Sequence, residues 1–106
     1  MNADERLRRA VGVIRTDLAG SRRQRYELNM RGLARRHRFD LVELIVIDAE
    51  TTSPTVQLLC AVLRFGAVAV IAPSVAHVPW PRVITEFVDL YVVGRSRTYR
   101  RGHRWH

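Results

Sequence analysis

Short apolar runs alternate along the chain with polar, basic or turn-rich stretches, and four of the runs read as strands, the first of them buried. Residues 10–16 are β-branched and apolar and end at Thr16. Leu41–Asp48 (LVELIVID) is the second run, Ala67–Ala72 the third and Val88–Val93 (VDLYVV) the fourth. The third is built of small and β-branched residues, which suits a central strand covered on both faces. Between the runs the apolar period lengthens to that of a helix. Asp17–Ser21 (DLAGS) reads as a turn, with Ser21 placed to cap a helix from Arg22 to about Arg36. Tyr26, Met30, Leu33 and His37 fall on one stripe of it, and Glu27 and Arg31 form an i,i+4 pair on another face. Ala49–Pro54 (AETTSP) is loop-like. Thr55–Phe65 is the second helix, with Val56, Leu59, Cys60 and Leu63 as its core stripe and Gly66 as its end. Pro73 stops the third strand, Val78–Pro81 (VPWP) is a loop, and Pro81 opens a short helix to about Glu86 or Phe87. Gly94 breaks the fourth strand. The order β-α-β-α-β-α-β predicts a mostly parallel sheet flanked by helices.

A chain of 106 residues makes one small domain, and its 47% apolar content excludes global disorder. The opening MNADERLRRA lacks the apolar core of a signal peptide, and the longest apolar run, near Phe65–Ala72, is too short to cross a bilayer. These features predict a cytoplasmic protein with no membrane partner. The single cysteine, Cys60, makes no internal disulfide and reads as a packing residue.

Charge changes the picture. The formal net charge is +8, and all 18 basic residues are Arg. A GC-rich genome also produces an all-arginine complement, so position says more than number. Arg22–Asp40 carries seven Arg against two acids, and Arg95–His106 carries five Arg and no acid. Leu41–Gly94 between them is net −3. Clustered guanidinium groups suit phosphate backbones, because their fork matches phosphate oxygens. Gly12 lies inside a strand, Gly20 is isolated and no Gly-x-Gly occurs, so no phosphate loop and no cofactor are expected. His103 and His106 stand three apart without Cys or carboxylate nearby, a poor zinc signature, and no metal is expected.

Chemistry in an α/β domain gathers just beyond the carboxyl ends of the strands. Those positions here are Arg15-Thr16-Asp17 and Pro73-Ser74-Val75-Ala76-His77-Val78. With the basic helix after the first strand and the Pro-led, Leu-rich second helix, they resemble the catalytic domain of the serine recombinase (resolvase/invertase) family over roughly residues 10–80. That family ends its first strand in Arg-x-Ser, where Ser attacks a DNA phosphate and Arg steadies it. It carries an Asp-Arg pair after its third strand. Arg15 matches the first Arg, but Asp17 stands at the nucleophile's position, Ala76 at the Asp and His77 at the second Arg. An anionic side chain repels phosphate, and phosphoryl transfer needs a hydroxyl and several guanidinium groups. The resemblance therefore implies a kept fold and a lost active site. Neither the family's long dimerisation helix nor its helix-turn-helix domain is in this sequence. The fold class expected is α/β, a three-layer flavodoxin- or resolvase-like sandwich with a mostly parallel sheet of four or five strands. It spans residues 1–94, with an Arg-rich tail over 95–106.

Individual residues admit plainer readings. Asp17 is a nucleophile or metal ligand, or a turn residue past a strand. Arg15 binds an anion, or pairs with Asp17 or Asp48. His77 joins a ligand lip beside Pro79-Trp80-Pro81, or is a packed loop histidine. Ser74 has no His-Asp partner set for nucleophilic work. The tail (RSRTYRRGHRWH) interleaves Arg with Tyr99 and Trp105, a composition that holds phosphates and stacks on unpaired bases.

The expected function is non-catalytic binding of nucleic acid, DNA or structured RNA including the ribosome, in an accessory or regulatory role. The expected binding residues are Arg15, Arg22, Arg23, Arg25, Arg31, Arg35, Arg36 and Arg38, with Arg95, Arg97, Tyr99, Arg100, Arg101, Arg104 and Trp105 from the tail. The alternative is a protein-interaction module, a homodimer or a dock for an acidic partner, anchored by exposed apolar residues around Val78–Trp80. A residual hydrolase or ligase using Asp17 or Ser74 is the third reading.

Overall fold

Four parallel strands carry the backbone through the middle of the molecule, and a short fifth closes one edge. A computed structural model describes residues 7–105. The strands are β1 (Arg8–Arg15), β2 (Phe39–Ile47), β3 (Ala69–Ala72), β4 (Asp89–Val92) and β5 (Arg97–Tyr99), in the order β2-β1-β3-β4-β5. β5 runs antiparallel to β4; the other neighbours are parallel. The chain leaves β1 toward one edge and β3 toward the other. This reversal opens a crevice beyond the carboxyl ends of the strands.

Alternation along the strands decides which helix lies on which face. Ala10, Ala69, Ile71 and Tyr91 pack with Met30, Leu33 and Ala34 of α2 (Arg23–Arg36). Val11, Val13, Val70, Leu90 and Val92 pack with Leu58, Ala61 and Val62 of α3 (Pro54–Phe65) and Ile84 of α4 (Pro81–Phe87). Helices thus cover both faces, preceded by a single turn, α1 (Thr16–Ala19). Each fully buried Leu or Ile contributes about 1.5–3 kcal/mol. Gly12 permits the close approach of α2: a Cβ there would sit 2.8 Å from Met30 Cε and 3.0 Å from Leu44 Cδ1.

The turn chemistry follows the sequence at the second helix. Pro54 opens α3, and Gly66 closes it at φ +62°, a left-handed cap in which the Ala67 N–H donates to the Val62 carbonyl at 2.9 Å. Elsewhere the structure departs from expectation. Ser21 lies in a 3-10 turn (Gly20–Arg22), and α2 has no side-chain cap. Glu27 pairs with Arg23, not Arg31, at 3.0 Å. His37 is exposed at the end of α2, although its ring lies against Phe39 and Tyr91.

One correction is larger. Of the stripe Val56, Leu59, Cys60, Leu63, only Leu59, partly buried, packs against the core. Leu58, Ala61 and Val62 face the sheet, Cys60 is exposed, and Val56 and Leu63 are 58% and 78% exposed. α3 is apolar almost all round, so periodicity alone offers two phases, and the sheet selects the other one. The basic tail is also folded. Leu90, Tyr91 and Val92 pair with Tyr99, Thr98 and Arg97. Beyond β5 the Gly102 N–H donates to the Thr85 carbonyl, and Trp105 Nε1 donates to Thr85 Oγ1 at 2.9 Å.

Among the described residues no helix is long and apolar enough to cross a membrane. Residues 1–6 of the opening segment and His106 of the histidine pair lie outside the described residues.

Candidate nucleic-acid interface at the carboxyl edge of the sheet

The positions singled out after β1 and β3 meet in space. The Arg15 guanidinium donates to both Asp17 carboxylate oxygens, one bond running from Nε to Oδ1 at 3.1 Å. The Arg15 backbone N–H donates to His77 Nδ1 at 2.9 Å. Tyr26 of α2 meets the His77 ring edge to face, with centroids 5.7 Å apart. Of the alternatives for Arg15, the ion pair with Asp17 is the one formed. That pair occupies the guanidinium edge a phosphate would need. The hydrogen bond holds the Asp17 carboxyl below its ordinary range and raises Arg15 above its own. Asp48 is also engaged: its side chain accepts from the Glu50 N–H at 2.8 Å and from the Thr51 hydroxyl at 3.2 Å. A hollow of about 300 Å³ lies between Arg15, Asp48, Thr51, Pro79 and Trp80.

His77 is the packed loop histidine of the plainer reading, buried within a 3-10 turn (Val75–His77). Burial lowers its pKa, the Arg15 charge lowers it further, and Asp17 opposes both. A protonated Nδ1 also cannot accept from the Arg15 N–H. The folded state therefore favours neutral His77, while the unfolded chain takes up a proton near the ordinary value of 6.5. Stability from this residue is complete above about pH 6.5 and falls as the pH drops toward the lowered folded value. The Asp17 contribution goes in a separate window, below the ordinary carboxyl value of 3.8. Denaturation midpoints measured from pH 7.5 to pH 5 are expected to decline for the natural chain. His77→Asn, which keeps an acceptor near Nδ1 but does not titrate, is expected to flatten that decline; an unchanged slope would refute the assignment.

A second pair of hollows joins α2 to the chain after β4. Tyr26, Asn29, Pro73, Ser74, Val93 and Gly94 line about 280 Å³. Ser74, Val75, Ala76, Gly94, Arg95, Arg97 and Tyr99 are among the residues lining about 370 Å³ beside it. Ser74 and Gly94 border both, so one groove runs along the carboxyl edge from α2 to β5. Arg22 lies beside Tyr26, which lines the α2 end, its Cζ 5.8 Å from the Tyr26 ring centre. Arg95 and Arg97 line the other end. The bend that places them is conformationally demanding, with Arg95 at φ +64° and Ser96 at φ +45°.

The remaining basic residues divide by edge. Arg23 is held by Glu27, and Arg25 is exposed on the same half of α2. Arg31 and Arg35 border a hollow with Leu7, Phe39 and Asp40 at the amino edge of the sheet, and Arg36 and Arg38 follow at that end of α2. Arg100 pairs with Asp89 at 3.5 Å, and the Arg101 N–H donates to Asp89 at 2.7 Å, again at the amino edge, where exposed Arg104 follows. A helix of this length separates the two Arg groups of α2 by roughly 20 Å. Tyr99 and Trp105 stack on each other at 4.7 Å, and Arg97 lies 5.1 Å from the Tyr99 ring centre. The two rings expected to stack on bases are half-buried and stack on each other, and Tyr99 also lines the groove. Val78 is buried, which leaves Trp80, 65% exposed, as the apolar residue presented by that loop.

Sequence reasoning left Tyr26, Asn29 and Gly94 out of the site and gave Ser74 no role in binding. Ser74 and Gly94 each follow a strand end by two residues, which is the signal that marks a carboxyl-edge position. Among the described residues no three His, Cys, Asp or Glu side chains are grouped to hold a metal. No known family model matches the sequence, and no curated protein matches it. Fold and site define a basic α/β protein with a groove at its sheet's carboxyl edge, flanked by arginines.

Proposed function

We propose that the chain is a non-catalytic nucleic-acid-binding protein with a three-layer, serine-recombinase-like fold, acting in an accessory or regulatory role. The observation that carries this reading is the groove of two adjoining hollows, lined by Arg95 and Arg97 at one end and by Tyr26, with Arg22 beside it, at the other. Guanidinium groups along a groove follow a phosphate backbone without reading bases, so binding is sequence-tolerant. The amino-edge arginines supply a second, longer-range attraction. The recombinase-like reading draws support from the meeting of Arg15, Asp17 and His77 at the carboxyl edge. With a carboxylate at the nucleophile's position and Arg15 engaged by it, strand cleavage has neither attacking hydroxyl nor free phosphate clamp. DNA is the ligand the resemblance favours. Structured RNA fits the same groove, which Tyr99 also lines.

The test is a fluorescence-anisotropy titration of labelled duplex DNA, single-stranded DNA and structured RNA across a salt series. The expected result is binding at low salt that weakens steeply as salt rises, with a logarithmic slope near −0.9 per phosphate contacted on duplex DNA. Absence of binding to all three at low salt would overturn the reading. The second reading, a protein-interaction module, is favoured by the exposure of Trp80 and of the outer face of α3.

A further inference from the structure

α3 carries two apolar faces. Its inner face meets the sheet through Leu58, Ala61 and Val62. On the outer side Val56, Cys60 and Leu63 recur at i, i+4 and i+7, the spacing of one helix face, and Leu59, partly buried against the core, borders them. Among the described residues nothing covers the outer ends of that face, since Val56 is 58% and Leu63 78% exposed and Cys60 is exposed. A helix apolar on both sides is normally buried on both.

We infer that the outer face of α3 is a homodimer interface, in which α3 pairs antiparallel with α3 of a second copy about a two-fold axis between Leu59 and Cys60. Such pairing sets Val56 against the partner's Leu63 and the partner's Val56 against Leu63, an interface that is self-complementary as two-fold symmetry requires. It also opposes the two helix dipoles.

Charge selects a second copy as the occupant. Two chains of net +8 repel wherever their Arg blocks approach, yet α3 belongs to Leu41–Gly94, which is net −3. In the antiparallel arrangement the end of one α3, which carries Arg64, lies beside the start of the partner helix. There the loop before Pro54 carries exposed Glu50. Among the described residues neither Arg64 nor Glu50 forms an ion pair within its own chain. An acidic protein partner would be drawn instead to α2 and the tail, where the arginines lie. One helix pair is a small interface, so the dimer is concentration-dependent. Because charge opposes association and apolar contact drives it, added salt leaves the dimer intact or tightens it, the reverse of the effect on nucleic-acid binding.

The full chain, under reducing conditions, is examined by sedimentation velocity over a hundredfold concentration range. A reversible monomer–dimer equilibrium is expected, with Leu63→Glu shifting the dissociation constant at least tenfold and Leu28→Glu, on the exposed side of α2, leaving it unchanged. Both substituted side chains are exposed in the folded chain, so both variants are expected to fold, and circular dichroism checks this. Cys60 supplies a test in the natural chain. It is the sole cysteine, and the proposed axis brings the two copies of it together. Diamide, which takes two electrons and two protons from a thiol pair, is expected to convert the dimer to a disulfide-linked species that Leu63→Glu does not form. A chain that stays monomeric at every concentration, or a dimer or crosslink indifferent to Leu63→Glu, would overturn the inference.

Discussion

Replacing Arg95 and Arg97 together with Ala is expected to weaken duplex DNA binding about tenfold at physiological salt and to lower the salt slope by roughly two. Both side chains line the groove with Ser74 and Gly94. They leave the strand pairing intact, since Arg97 meets Val92 through its backbone. The matched control is Arg35→Ala with Arg38→Ala, which removes the same charge from the amino edge. That pair is expected to change affinity about twofold at most, because distant charges act through a screened field. Anisotropy titrations of the two double variants at equal salt make the comparison. Equal losses would mean that net charge, not the groove, binds nucleic acid.

Ending the chain after Gly94 is expected to destabilise the fold by about 3–5 kcal/mol, the scale of losing a packed Trp. For a domain of this size, 3 kcal/mol corresponds to a fall in Tm of roughly 12 °C or more. Arg97–Tyr99 forms the strand that shields β4, whose Leu90 and Val92 belong to the core. Tyr99 packs on that core, Trp105 stacks on Tyr99, and both Trp105 and Gly102 hydrogen-bond Thr85, which is buried. Without residues 95–106, β4 becomes a bare edge and Thr85 loses two partners. Thermal unfolding of the full chain and of 1–94 measures this. A truncated chain melting within about 3 °C of the full one would show that the tail is an appendage. The same packing makes truncation a poor probe of nucleic-acid binding, because it removes fold and charge at once.

Where burial is one-sided in composition, the sequence was legible. Ala69–Ala72 is buried along its whole length, and a run of small and β-branched residues bounded by Pro73 has few other places to go. β1, β2 and β4 carry mainly apolar runs, interrupted in β2 by Glu43 and in β4 by Asp89, and their boundaries move by only a few residues. β5 was not legible because Arg-Thr-Tyr has no pattern of its own; it is a strand because β4 offers it an unpaired edge. The α3 stripe was misassigned for a different reason. Val56, Leu59, Cys60 and Leu63 score as well in periodicity as Leu58, Ala61 and Val62, and the choice rests on the sheet beneath.

The site was legible in outline. His77 lies 62 residues from Arg15 and its neighbour Asp17, but both segments follow strand ends, and the parallel topology gathers them. Their hydrogen bonds were not legible, because the Arg15 backbone donor to His77 depends on the path of the loop after β3. The tail's composition suggested rings and cations presented to bases. Tertiary packing stacks Tyr99 and Trp105 on each other, half-buried, and leaves Arg95 and Arg97 beside Tyr99 at the groove.

The central claim is that nucleic acid lies in the carboxyl-edge groove. Amide chemical-shift mapping of the isotope-labelled full chain, titrated with a short DNA duplex at low salt, tests it most directly. The account predicts perturbations concentrated in residues 22–29, 74–76 and 94–97, with the amino-edge residues 35–38 and 100–104 little affected. Perturbations confined to the amino edge, or none at saturating duplex, would contradict it.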